Sequence, residues 1–64
     1  MPYEAYTLYN CMLVYLTPAG RRQHFRTKAV AQTADQALEL AQRHLTNDTR
    51  RRVRSIEYME AIEQ

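Results

Sequence analysis

Glycine is nearly missing from this chain: among 64 residues there is one, Gly20. That excludes a glycine-rich phosphate loop, which needs several positions where backbone N–H groups approach an anion with no Cβ in the way. Cysteine is as scarce. Cys11 alone cannot form an internal disulfide or a paired-thiolate zinc site, and inside an apolar stretch it reads as a small buried hydrophobe. A nucleophile would want a base beside it, and neither His24 nor His44 is a sequence neighbour. The two histidines fall on different elements and read as surface polar residues. There is no HExxH and no usable Ser/His/Asp arrangement. No apolar run approaches the roughly 18 residues of a membrane span. Residues 1–17 lack the basic start of a signal peptide and carry Glu4 and Asn10. The expectation is a cytoplasmic protein that is not an enzyme, with no catalytic residue, metal ligand or cofactor.

What is present is globular composition, 45% hydrophobic and 25% charged, which separates the chain from disordered sequences. Residues 1–64 are expected to form one domain. A chain this short buries only about 60% of its unfolded surface and has no room for a deep pocket, so a partner or a second copy would help to stabilise it. The net charge of +2 is too small to imply nucleic acid. Its distribution carries more information.

Residues 33–46 (TADQALELAQRHLT) predict a helix. Thr33 can cap it, with Gln36 completing a capping box. Asp35 suits the positive end of the helix dipole, and Arg43 and His44 suit the negative end. Ala34, Ala37, Leu38, Ala41 and Leu45 form an apolar stripe at helical spacing. Before the helix, residues 2–17 read as a strand rich in Tyr, Leu, Val and Thr, with proline only at its edges. Thr17-Pro18-Ala19-Gly20 is then a turn. Pro18 presets φ and Gly20 can take the left-handed position, the signature of a type I turn with a G1 bulge.

That turn sets Thr17 opposite Arg21, and the register follows. Leu13 pairs with Phe25, Cys11 with Thr27, Tyr9 with Ala29, Val14 with His24, Met12 with Arg26, and Asn10 with Lys28. The second strand, residues 21–32, then has a helix-facing side of Phe25, Thr27, Ala29 and Ala31. Its other side is basic: Arg22, His24, Arg26 and Lys28. After an Asn47-Asp48 turn, residues 51–62 (RRVRSIEYMEAI) predict a third strand, with a helix as the alternative that the Val53, Ile56, Met59 and Ile62 spacing also suits. It has apolar residues in both parities, which suggests a bulge near Ser55. The fold expected is α+β: ββαβ, a three-stranded antiparallel sheet in order 2-1-3 with one helix on one face and the other face uncovered.

Topology also sorts the charge. The starts of strands two and three and the end of the helix should meet, gathering Arg21, Arg22, Arg43, Arg50, Arg51, Arg52 and Arg54 at one pole. Glu57, Glu60, Glu63, Glu4 and Asp35 should lie towards the opposite one. Such a pole is either a solvated strand end or a site for carboxylates or phosphates, which guanidinium forks bind bidentately. With Arg26 and Lys28 it makes the candidate partner- or anion-binding set. The uncovered face offers a second candidate, Met12, Val14 and Leu16 beside His24 and Arg26, a mixture that protein interfaces enrich.

The run FRTKAVAQTADQALELAQRHL followed by RRVRSIEYMEAI has a strand ending in small residues, a T-x-x-Q-A helix and a V-x-S-I-E strand. From Phe25 to Tyr58 this layout resembles small phage-encoded proteins, including some anti-CRISPR inhibitors of type I systems built from a short antiparallel sheet and one helix. The resemblance transfers no functional residue. It implies a non-enzymatic inhibitor, in the host cytoplasm, that docks on a larger nucleoprotein by charge and shape. A nucleic-acid-binding module, with tyrosines beside arginines as a stacking platform, and a homodimer are the alternative expectations.

Overall fold

The computed structural model describes residues 5–48 and 50–64. Its order is β1 (Thr7–Leu16), β2 (Arg22–Ala31), α1 (Ala34–Asn47) and β3 (Ser55–Glu63). The strands form one sheet in order β2-β1-β3, antiparallel at both junctions, and α1 packs across one face. This is the ββαβ arrangement expected from the connection lengths.

The hairpin turn explains the register of the first junction. Gly20 has φ +83° and donates its N–H to the Thr17 carbonyl at 2.8 Å, and Thr17 N–H donates to the Arg21 carbonyl at 2.8 Å. Leu13 opposes Phe25, Met12 opposes Arg26 and Asn10 opposes Lys28, each as the turn chemistry requires. Ladder length is set by the available partners. β1 begins at Thr7, opposite Ala31, and not at residue 2. Two residues beyond Ala31 the other side of the ladder turns into the helix at Thr33. Ala5 and Tyr6 lie outside the strand, and the expected strand residues 2–4 fall outside the described chain.

Thr33 caps α1: Gln36 N–H donates to its Oγ1 at 3.2 Å. The reciprocal bond is displaced by one residue. Gln36 Oε1 accepts from the N–H of Gln32 at 3.0 Å, so the helix entry is held one residue earlier than in a standard capping box. The helix extends to Asn47, so the turn after it centres on Asp48, and His44 is the basic residue of the last turn while Arg43 precedes it.

The core consists of Cys11, Leu13 and Tyr15 from β1, Ala29 and Ala31 from β2, and Ala37, Ala41 and Leu45 from α1. Four alanines at this junction bring the helix backbone close to the sheet. At this separation the Cys11 thiol donates to the Ala37 carbonyl at 3.7 Å. Burial pushes the Cys11 thiol pKa up, as a structural cysteine requires. The apolar stripe differs from expectation at its margins. Ala34, at the first helical position, is exposed, Leu38 is half-buried, and Leu40 packs against the core. The flanking contacts explain the breadth: His44 and Thr27 of β2 share a hydrogen bond at 3.3 Å, while Gln42 Nε2 donates to Met59 Sδ of β3 at 3.0 Å.

β3 starts at Ser55 and not at residue 51, because the preceding arginines serve as the connection; the Arg54 N–H makes the first bond to the Leu16 carbonyl at 2.7 Å. The irregularity lies at Glu57, two residues past Ser55: Ile56 opposes Tyr15 and Tyr58 opposes Val14, so Glu57 is the extra residue. The bulge lets both Ile56 and Met59 stand on the helix-facing side despite their opposite parity, and it turns Tyr58, Glu60 and Ile62 to the other side.

Candidate functional site

At the hairpin end of the sheet, the arginine pole is organised by Asp48. A carboxylate at a helix C-terminus opposes the dipole, and here two guanidiniums offset it. Arg50 donates through Nε to Oδ1 at 3.2 Å and through its backbone N–H to the same oxygen at 3.0 Å, while Arg51 Nε donates to Oδ2 at 3.1 Å. The side-chain and backbone hydrogen bonds from Arg50, then the Arg50 charge and the hydrogen bond from Arg51, hold the Asp48 carboxyl below the usual carboxylate range. Arg51 also donates from Nη1 to the Tyr15 hydroxyl at 3.2 Å and lies 5.1 Å from the centre of the Phe25 ring. Its hydrogen bond to Tyr15 and the Tyr15 charge, then the hydrogen bond to Asp48 and the Asp48 charge, keep its guanidinium still more firmly protonated. Arg51 thus closes the end of the core. It acts as a clasp.

Among the described residues, Arg21, Arg43, Arg52 and Arg54 make no side-chain hydrogen bond or ion pair. A hollow of about 390 Å³ at this pole is lined by Tyr15, Thr17, Gln23, Arg50, Arg51 and Arg52. Two of its three arginines share the single Asp48 carboxylate, which offsets one of their charges, and Arg52 has no side-chain partner among the described residues. Glu57 was expected at the opposite end, and the structure places it here. Arg22 Nε donates to Glu57 Oε1 at 3.0 Å across Leu16, because the bulge turns this glutamate towards the strand end. The pole is therefore less positive than its arginine count suggests.

The face of the sheet away from α1 is arranged in three columns. Down the centre strand run Leu8, Asn10, Met12, Val14 and Leu16. On the β2 flank stand Val30, Lys28, Arg26, His24 and Arg22, all exposed. On the β3 flank stand Ile62, Glu60 and Tyr58. Val30, Tyr58 and Ile62 remain 56%, 50% and 54% exposed, an apolar border around a half-covered apolar centre. A trough of about 550 Å³ at mid-height is lined by Asn10, Met12, Arg26, Lys28, Glu60 and Ile62, among others.

Met12, Val14, Leu16 and His24 all lie on this face, together with Arg22, Arg26 and Lys28 of the basic set. Leu8, Val30, Tyr58, Glu60 and Ile62 belong to the same surface and were not singled out from the sequence. Val30 was accessible through the alternation that marked Arg26 and Lys28. Tyr58, Glu60 and Ile62 required the bulge to be placed at Glu57. Among the described residues no group of three acidic, histidine or cysteine side chains is placed to hold a metal ion, and no helix is long and apolar enough to cross a membrane. No family model, curated protein or solved structure matches the chain.

Proposed function

We propose that this chain is a small non-enzymatic binding protein that recognises a protein surface through the open face of its sheet, with the arginines of the pole that have no side-chain partner among the described residues extending the positive edge. One observation carries this reading. A column of Leu8, Met12, Val14 and Leu16 lies on the side of the sheet away from α1, bordered by exposed Val30, Tyr58 and Ile62 and rimmed by charge. An apolar centre inside a polar rim is the anatomy of a protein interface. An inhibitor docking on a nucleoprotein, as the phage-protein resemblance implies, belongs to the same class of action. A nucleic-acid surface fits less well, because Glu57 and Glu60 occupy one flank of the face and would repel phosphate.

The test is capture from a lysate of the source cells with the wild-type chain and with Val14→Asp. Val14 is half-buried on the open face and outside the core, so the variant should keep its circular dichroism spectrum and lose the captured protein. Retention of the same protein by a folded Val14→Asp would overturn the reading. Retardation of DNA or RNA in a low-salt gel shift, lost steeply as salt rises, would replace it with the nucleic-acid alternative.

A further inference from the structure

We propose that the open face is self-complementary and that its occupant is a second copy of this chain, seated face to face about a two-fold axis parallel to β1. The inference rests on the reading of this face as an interface and names the partner. β1 is the middle strand, so a two-fold along it lays its apolar column on the same column of the other copy. The same operation places the β2 of each copy over the β3 of the other. The centre row of the face is Arg26–Met12–Glu60, in that order across the sheet. Arg26 of each copy then meets Glu60 of the other, twice by symmetry.

Closer to the hairpin, beyond the Val14 row, the bulge residue Glu57 brings a second glutamate within reach of β2. Within one chain Arg22 already reaches Glu57 over Leu16 at 3.0 Å, which shows that an arginine on β2 is complementary to a glutamate on β3 across the apolar column. In the pair, two such ion pairs meet as a four-charge cluster. Between these rows, His24 of one copy lies over Tyr58 of the other. A two-fold across the strands at the same row would instead set β2 on β2 and β3 on β3, with Arg26 on Arg26 and Glu60 on Glu60, and like charges so juxtaposed repel. Charge selects the axis. The trough around Asn10 and Met12 falls on it, where the flexible, unbranched Met12 side chain of each copy can fill the hollow of the other.

Size sets the strength. Strands about 4.8 Å apart, with ten residues in β1 rising about 3.3 Å each, make a face of roughly 15 by 33 Å. That is at the small end of specific interfaces, among weak and transient associations.

Sedimentation equilibrium from about 1 µM to about 1 mM tests the proposal, a range that brackets weak interfaces of this size. The wild-type chain should dimerise. Arg26→Glu alone and Glu60→Arg alone should each weaken the dimer about tenfold or more, since each sets like charges together twice. An equimolar mixture of these two variants should restore dimers, as should R26E/E60R in one chain, because each exchange re-pairs both contacts. Circular dichroism of every variant confirms the fold. A wild-type monomer throughout the range, or a mixture that fails to restore the dimer, overturns the proposal. If the wild type stays monomeric while Val14→Asp still loses its lysate partner, only the second-copy assignment fails. If the dimer behaves as stated and no lysate partner depends on Val14, the heterologous reading fails and the self-association stands.

Discussion

Asp48 ends the only helix of the described chain at the pole where a carboxylate is least welcome, and its neighbours turn that into an attachment point. Two arginines bind its two oxygens, and one of them, Arg51, passes the contact on to Tyr15 and Phe25 of the hairpin. Because the Asp48 carboxyl titrates lower in the fold than in the unfolded chain, its contribution is complete above the ordinary aspartate value of about 3.9 and is lost as pH falls through the lower folded value. Thermal melts of the wild type and Asp48→Asn should therefore differ at pH 7, with the wild type higher, and converge as the pH is lowered towards about 2. A constant gap across that range would show that the carboxylate charge contributes nothing. At this scale the sequence was partly readable. The arginine run was visible, but not that Arg51 serves the core, since nothing local places Tyr15 and Phe25 beside residue 51. Reversing the charge of Arg51 would damage the fold and say little about binding. Arg52 and Arg54, without side-chain partners among the described residues, are the informative positions for testing the pole.

Among the elements, α1 and the hairpin show why some features were legible and one was not. The hairpin register follows from two residues: Pro18 starts the turn and Gly20, at φ +83°, ends it. The helix follows from Thr33 and the spacing of Ala37, Ala41 and Leu45. Both are local. The bulge at Glu57 is not, because either parity of SIEYMEAI offers apolar residues and only the pairing of Ile56 with Tyr15 and of Met59 with Leu13 decides between them. The close approach of α1 to the sheet depends on alanines, and Ala41 is fully buried. Ala41→Leu should lift the helix and cost about 1–3 kcal/mol or more, a large share of the few kcal/mol a chain of this length holds. Urea denaturation checks this: the midpoint should fall sharply, and an unchanged midpoint would mean that the helix sits further from the sheet than described.

For the molecule as a whole, one helix covers one face of a three-stranded sheet and, among the described residues, leaves the other open. The existence of that open face, its basic flank and its apolar centre were legible in the sequence. Its acidic flank was not, since Glu60 reached this side only through the bulge and Glu57 arrived at the pole thought to be purely basic. With both flanks in place the face changes character, from a basic patch awaiting an acidic partner to a surface whose charges answer one another across a two-fold. Self-association through this face is read out by amide spectra of the isotope-labelled chain recorded as its concentration rises from about 10 µM to about 1 mM, spanning weak association. Face-to-face pairing should give concentration-dependent shifts confined to the open face, led by Met12, Val14, Arg26, Tyr58 and Glu60, with the outer side of α1 unmoved. Shifts centred on α1 or on Arg52 and Arg54, or none at all, would contradict it.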